Sequence, residues 1–359
     1  MTNDAMNALL AKLDPKTAKR FEMAQGVYAQ MLPSASLEYN WATNGGFPRG
    51  SITTIYGNYS SSKTALVLTT IGKLQKMGCT CAFVAVEGYD AGWAAKLGVD
   101  NDNLLLIKKK SFGAITDQVR PLLKNGLDFL GWDSISKTMP EQFLDDKGES
   151  NNFDGQKQIG AASRSAGVAL NDIDYNNERT AVVLISQTRT DMTNSMRPVQ
   201  KPTNGKVVEF SSNVMVRMQA PPQEAYQIKG NVFIGDKIHE FPIGREVKFE
   251  VVKNKMGPPN RASAYKFYYD GDFIGIDNVD ELVTMGKRFG VIRASGAWVY
   301  YGDDQWNGST KFVQALKDDE VLFERVKADV EMVTTGEVKD EQLGEVPEAA
   351  EGTSESGTW

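Results

Sequence analysis

Residues 52–64 read Ile52-Thr53-Thr54-Ile55-Tyr56-Gly57-Asn58-Tyr59-Ser60-Ser61-Ser62-Lys63-Thr64, followed by Ala65 and a stretch of helical periodicity that reaches residue 77. A short apolar strand, a turn of small polar residues and a helix opened by Lys-Thr form the setting of a P-loop. Backbone N–H groups of such a turn, at a helix N-terminus, wrap a polyphosphate. Lys63 then offers positive charge to the terminal phosphates, and the Thr64 hydroxyl can ligate magnesium. The position before the lysine, usually glycine, is Ser62 here. A left-handed backbone or a close phosphate approach at that point would therefore be costly.

Outward from this stretch, apolar strand-like runs at 52–56, 81–86, 104–107, 127–132, 181–186, 214–218, 247–252 and 265–269 alternate early on with helical patterns at 63–77, 114–124 and 156–170. That alternation predicts an α/β fold with a mainly parallel central sheet flanked by helices, and it places ligand chemistry at the carboxyl ends of the strands. Three such ends carry polar groups. Asp133 follows the run 127–132 and would support a magnesium ion beside the P-loop; Glu87 follows 81–86 and could orient and deprotonate a water near a γ-phosphate; Gln187 follows 181–186 and could sense that phosphate by hydrogen bonding. Taken alone, Asp133 reads rather as an ordinary strand-end acid, and the P-loop upstream is what turns it toward the metal role, whereas Glu87 reads equally well as a strand-end surface acid.

The chain has 359 residues, of which 41% are hydrophobic and 24% charged, a balance that excludes collagen, a coiled coil and wholesale disorder. No run approaches eighteen apolar residues, so neither a membrane span nor a signal peptide is expected. Cys79 and Cys81 lie two apart in a strand-like run and share a face, which suits free thiols and a reduced, cytoplasmic setting. With His239 as the single histidine, a zinc site or a histidine-dependent triad is disfavoured, and this residue is expected in a loop.

The net charge of −6 is unevenly placed. From Glu331 to the C-terminus there are eight acids against Lys339 alone, leaving residues 1–330 with 39 basic and 38 acidic groups. An acidic tail of this kind either screens a basic surface or only solubilises. At the other end, Met6, Leu9, Leu10 and Leu13 follow helical spacing, an arm that packs on its own domain or docks on another subunit. Residues 190–204, with Pro198 and Pro202, and residues 140–152 read as long mobile loops, of the kind that is either functional or disordered. Beyond residue 270, helical patterns at 280–289 and 311–330 surround an aromatic strand at 297–301.

In its ordered segments the chain resembles the RecA recombinase family, including UvsX-like phage members. The approach to the P-loop, Gly45-Gly46-Phe47-Pro48-Arg49-Gly50 and Ile55-Tyr56-Gly57, is in register with the family. So are Glu87 with Asp90 and Trp93-Ala94-Ala95-Lys96-Leu97-Gly98, the segment Ser186-Gln187-Thr188-Arg189, the run Val251-Val252-Lys253-Asn254-Lys255, and Ser295-Gly296-Ala297-Trp298-Val299-Tyr300. The resemblance covers most of residues 33–330. It implies a RecA-like P-loop ATPase core at 33–275, an oligomerisation arm at 1–32, a small α+β C-terminal domain at 276–333 and an acidic tail at 334–359.

The resemblance also implies roles. Gly57, Asn58, Tyr59, Ser60, Ser61, Ser62, Lys63, Thr64 and Ala65 would hold ATP, Thr64 and Asp133 would hold Mg2+, and Glu87 would activate water. Trp93 takes the place of an aromatic that stacks on adenine, and Asp90 lies where the family contacts the base. Gln187 would couple nucleotide to the DNA loop 188–205. Lys253 and Lys255 would complete the ATP site of a neighbouring subunit, and Phe210 would lie at that interface. Glu209 departs from the family, standing where the bacterial recombinase has a lysine.

From Arg189 to Lys206 the loop carries Arg189, Arg197, Lys201 and Lys206 against Asp191 alone, so it is basic, and its Met192 and Met196 could wedge between bases. The first loop, 137–164, is not basic, and the assignment of Arg164 to DNA, like that of Gly205, rests on the resemblance. Lys108, Lys109 and Lys110 read as a solvated charge run, whereas Lys287, Arg288 and Arg293 form either a duplex-docking patch or a plain helix end. The expected protein is a DNA-dependent ATPase that forms helical filaments on single-stranded DNA and exchanges strands with duplex DNA, with loader and single-strand-binding proteins as possible partners. The alternatives are a ring helicase motor on the same fold and a DNA-binding scaffold whose P-loop Ser62 has silenced.

Overall fold

The computed structural model describes residues 9, 11–14, 16, 29–143, 155–191, 199–221, 224–234 and 237–335. The chain divides into two compact units, Met1–Gln30 and Met31–Trp359. In the first, Leu9 is helical and exposed, while Met6 and Leu10 lie outside the described residues.

The second unit runs in the order β1 (Met31–Leu32), α1 (Leu37–Thr43), β2 (Phe47–Pro48), β3 (Ser51–Gly57), α2 (Lys63–Lys76), β4 (Cys81–Ala85), α3 (Ala91–Lys96), β5 (Leu104–Ile107), α4 (Phe112–Lys124) and β6 (Phe129–Asp133). It continues with α5 (Gly155–Asn176), β7 (Ala181–Asp191), β8 (Val199–Pro202), α6 (Gly205–Ser211), β9 (Val214–Gln219), β10 (Gln227–Ile234), β11 (Lys237–Asn254), β12 (Ala262–Tyr268) and β13 (Gly275–Ile276). It closes with α7 (Asn278–Arg288), β14 (Arg293–Ser295), β15 (Trp298–Tyr301), β16 (Asp304–Asn307), α8 (Ser309–Asp318) and α9 (Glu320–Thr335).

The main sheet has the order β13-β12-β11-β9-β3-β7-β6-β4-β5, with β10 paired to β11 and β8 to β7. Strands β9, β3, β7, β6, β4 and β5 are parallel, and β11, β12 and β13 extend the sheet antiparallel. The near-continuous apolar runs read in the sequence follow from burial on both faces. Along β4, Phe83 points into a core shared with Leu66, Ile71 and Leu74 of α2, while Ala82 and Val84 point into the opposite core, with Ile115 and Val119 of α4 and Leu170 and Ile173 of α5. Alternation with period two along each strand thus divides the apolar residues between two helical layers.

Several boundaries depart from the sequence reading. The third helix continues six residues past Leu170 to Asn176, since Ile173 still reaches the core. The segment expected as one helix at 311–330 is two, because the Asp319 carboxylate caps the second by accepting from Leu322 N at 3.0 Å. His239 is not in a loop but on the exposed first stretch of strand β11, its ring 6.0 Å from that of Phe241. β10 and the first part of β11 escaped the reading, which found only the run 247–252, because that exposed end carries no buried face to impose a pattern. Cys79 precedes β4 rather than lying in it; both thiols are free, and burial pushes that of Cys81 up to about 12.

The segment after residue 276 has its own apolar cluster, which also takes in Leu37 of α1. Two buried carboxylates join these parts. Glu281 accepts from Ser36 Oγ, Leu37 N, Glu38 N and Asn278 Nδ2, and Glu38, with its side chain 1% exposed, receives both terminal nitrogens of Arg288 at 2.8 and 2.9 Å. Arg288 is therefore held in a bidentate ion pair, while Lys287 and Arg293 stay exposed. Arg288→Ala, which leaves Glu38 buried without its cation, is expected to lower stability by about 2 kcal/mol in urea unfolding, the arginine's partial exposure moderating the loss.

Candidate nucleotide site and its links to the loops

Strand β3 delivers the chain to the loop at Gly57, where a Cβ would fall 2.2 Å from the Met218 carbonyl oxygen of the neighbouring strand. The next residues turn sharply. Ser60 (φ 56°) and Ser62 (φ 60°) are both left-handed, so the cost expected of a non-glycine residue at 62 meets a real backbone demand. Each such non-glycine residue costs about 1–2 kcal/mol. Ser62 caps α2 without a side-chain hydrogen bond, and the first turn of that helix has no acid, which leaves an electropositive N-terminus open to an anion.

Lys63 folds back over this loop, its ammonium donating to the carbonyls of Gly57 at 3.0 Å and Asn58 at 2.7 Å and to Ser61 Oγ at 3.0 Å. Burial lowers its pKa, against the pull of Asp133 and Glu87. Thr64 Oγ1 donates to Asp133 Oδ2 at 2.5 Å, at the end of β6 two strands away. Burial raises the Asp133 carboxyl, and the Thr64 hydrogen bond only partly offsets this. A buried cation that would gain from an anion thus faces a buried acid that would gain from a cation. These hard oxygen donors and the adjoining ammonium fit a magnesium-bound triphosphate. Thr64 and Asp133 would hold the metal, whose chemistry is to neutralise phosphate charge. Among the described residues, no group of three or more His, Cys, Asp or Glu could hold a metal on its own.

Glu87, exposed at the end of β4, accepts from Gln187 Nε2 at 3.1 Å and from Ser134 Oγ. Residues read separately as strand-end polar groups therefore meet. Asp90 caps α3 by accepting from Trp93 N at 2.6 Å, and Trp93 is half-buried against the core beneath α2.

The P-loop and the opening of the second long loop also touch directly, which sequence reasoning missed. Tyr59 Oη donates to Gln187 Oε1 at 3.0 Å, and Thr188 Oγ1 donates to Asn58 Oδ1 at 2.6 Å. Segment 188–205 is not simply a loop: β7 continues to Asp191, and β8 returns antiparallel, with Arg189 opposite Lys201. Arg189, Lys201 and Lys206 are exposed, and Gly205 opens α6. Met192, Met196 and Arg197 lie outside the described residues, as do residues 144–154 of the first loop and the tail from 336. Arg164 is exposed on α5 and donates to Gly160 O at 3.3 Å, and Lys108, Lys109 and Lys110 are exposed.

Lys253 and Lys255 stand elsewhere. Asn254 pairs with Val214 of β9, Lys255 N donates to Asn213 O, and Asn213 N donates to Ile52 O. The pair is level with the start of β3, and Lys255 is therefore five residues back from Gly57, about 17 Å at ~3.3 Å per residue. The register shift between Val251 and Lys253 makes a bulge there. Lys253 Nζ donates to the Glu209 carbonyl of α6; burial and the neighbouring Lys255 lower its pKa. Phe210, one residue on, is 78% exposed.

The model for the RecA N-terminal domain matches residues 6–274, three quarters of the chain. The chain belongs to the RecA family. It is 30% identical over 341 residues to Protein RecA of Chlorobium chlorochromatii, spanning 93% of this chain and 91% of that protein. It is 28% identical over 358 residues to Protein RecA of Psychrobacter cryohalolentis, spanning 97% and 96%. This is a recombinase; helical filaments and strand exchange are characteristic of its family. Membership carries DNA-dependent ATP hydrolysis, typically with Mg2+, together with DNA binding and oligomerisation. The ring-helicase alternative gives way to these matches along nearly the whole chain. No helix among the described residues is long and apolar enough to cross a membrane.

Proposed function

We propose that this RecA-family protein polymerises on single-stranded DNA and exchanges strands with homologous duplex DNA, with ATP gripped by the P-loop of one protomer and sealed by Lys253 and Lys255 of the next. The observation that carries this reading is the position of the two lysines, at the opposite end of the sheet from the P-loop and beside an exposed phenylalanine. Side chains so placed serve a triphosphate only across a subunit boundary. Lys63 leaves its own loop carbonyls for the phosphates, Thr64 and Asp133 hold Mg2+, and Trp93 and Asp90 flank the base.

In hydrolysis, Glu87 takes a proton from water as the water oxygen bonds to the γ-phosphorus and the bond to the β–γ bridging oxygen breaks. Gln187 changes partner from Glu87 and Tyr59 to the γ-phosphate. That movement is passed to the Arg189/Lys201 ribbon, whose positive charge, with that of Lys206, suits a phosphate backbone. Met192, Met196, Arg197 and Arg164 complete the DNA surface, and Phe210 packs on the neighbouring subunit. Loader and single-strand-binding proteins serve as accessory partners, and the acidic tail screens the basic surface from duplex DNA.

The test is ATP turnover with and without single-stranded DNA, together with electron microscopy of the assemblies and a labelled-duplex exchange assay. Stimulated turnover, helical filaments and displaced strand are expected. Turnover and DNA affinity indifferent to each other, as a nucleotide-silent scaffold would give, or closed rings alone, would reject the reading.

A further inference from the structure

Strand β11 reaches the P-loop from a side that the sequence does not announce. Lys248 of β11 pairs with Gln219 of β9, one residue beyond the Met218 that is level with Gly57. Arg245, three residues further along β11, therefore overhangs the P-loop. Its Nη1 donates to the Ser60 carbonyl at 3.0 Å, and its guanidinium lies 5.6 Å from the centre of the Tyr269 ring. The backbone on either side of Arg245 is fixed by pairing to Gln227 in β10 and to Phe267 in β12.

The contact falls on the loop's most demanding segment, where Ser60 and Ser62 are both left-handed and Ser62 has no side-chain cap. Internally, that segment is tied by Lys63 to the carbonyls of Gly57 and Asn58 and to Ser61 Oγ. Those ties are lost when the ammonium turns to a triphosphate. The Arg245 contact comes from outside the loop and does not involve the Lys63 ammonium, so it can persist in both states.

We infer that Arg245 is a positioning residue for the nucleotide: by holding the Ser60 carbonyl it keeps the turn 60–62 in the geometry that aims its N–H groups at the phosphates, the task that a glycine at 62 would otherwise make easy. The inference rests on the nucleotide reading of the P-loop given above.

The test is a suppression experiment. Full-length wild type, Arg245→Ala, Arg245→Lys, Ser62→Gly and the double variant Arg245→Ala/Ser62→Gly are compared in ATP turnover with single-stranded DNA and in the affinity for a fluorescent ATP analogue. Arg245→Ala should raise KM for ATP and weaken the analogue roughly tenfold, with kcat within about twofold, as expected for loss of one charge-assisted hydrogen bond. Adding Ser62→Gly should restore most of that loss, and Arg245→Lys, which retains a donor, should lose less than the alanine variant. Unchanged affinity in Arg245→Ala, or a loss of equal size in the double variant, would overturn the inference. Should the alanine variant fail to fold, Arg245→Lys with and without Ser62→Gly asks the same question, and a lysine loss that glycine does not relieve counts against it. Lys63→Ala, run in parallel, separates the two layers: full activity there removes the nucleotide reading itself.

Discussion

Lys63→Ala is expected to lower DNA-stimulated ATP turnover by about 10²–10³-fold, the scale on which a single preorganised charge contact to a transition state is lost. The structure makes the expectation specific. In the free protomer the ammonium is spent on two loop carbonyls and Ser61 Oγ, so removing it releases the loop as well as the phosphate contact. Binding of single-stranded DNA without nucleotide should change little, because the Arg189/Lys201 ribbon is built by strand pairing that does not involve Lys63. The check is turnover together with DNA binding by fluorescence anisotropy, with and without ATP. A variant that keeps full turnover would remove Lys63 from the site.

The second expectation concerns the lysine pair. Lys253→Ala/Lys255→Ala should lower turnover by about 10³-fold, as when positive charge supplied across an interface is removed from phosphoryl transfer. Mixed with Lys63→Ala, however, two inactive proteins should recover part of the activity. A junction that joins the intact P-loop of the lysine variant to the intact lysines of the Lys63 variant is complete, and random mixing in equal amounts makes about one junction in four of this kind. Recovery has no explanation if the lysines serve their own protomer. Turnover that stays at the sum of the separate variants would rule out action of the lysines across the subunit boundary. Under the proposed sealing of ATP by Lys253 and Lys255 of the neighbour, affinity for ATP, for DNA and for the next protomer should rise and fall together.

The alternation of strand and helix, the P-loop, and the polar ends at Glu87, Asp133 and Gln187 were legible in the sequence because each is local. Burial on both faces of a parallel sheet writes continuous apolar runs, and a phosphate cradle needs its residues in one short turn. The demand that residue 62 places on its backbone was legible too, since the departure from glycine is visible in the residue itself. Contacts that join segments far apart in the chain were not. Arg245 on Ser60, Tyr59 on Gln187 and Arg288 on Glu38 span from 128 to 250 residues and leave no periodic trace. β10 with the first part of β11, and the break at Asp319, were missed because an exposed ribbon has no buried face to impose a pattern, and because a cap can interrupt a helical run with a single carboxylate.

The sequence by itself determined that a polyphosphate cradle lies between the first strand and the first helix of a layered α/β pattern. Only the tertiary structure decided that Glu87 and Gln187 share a hydrogen bond, that β11, two strands from β3 in the sheet, braces the cradle, and that the two lysines lie level with the opposite end of β3. Local chemistry dictates what each residue can do. Sheet order and register, set by packing along the whole chain, decide which residues can do it together.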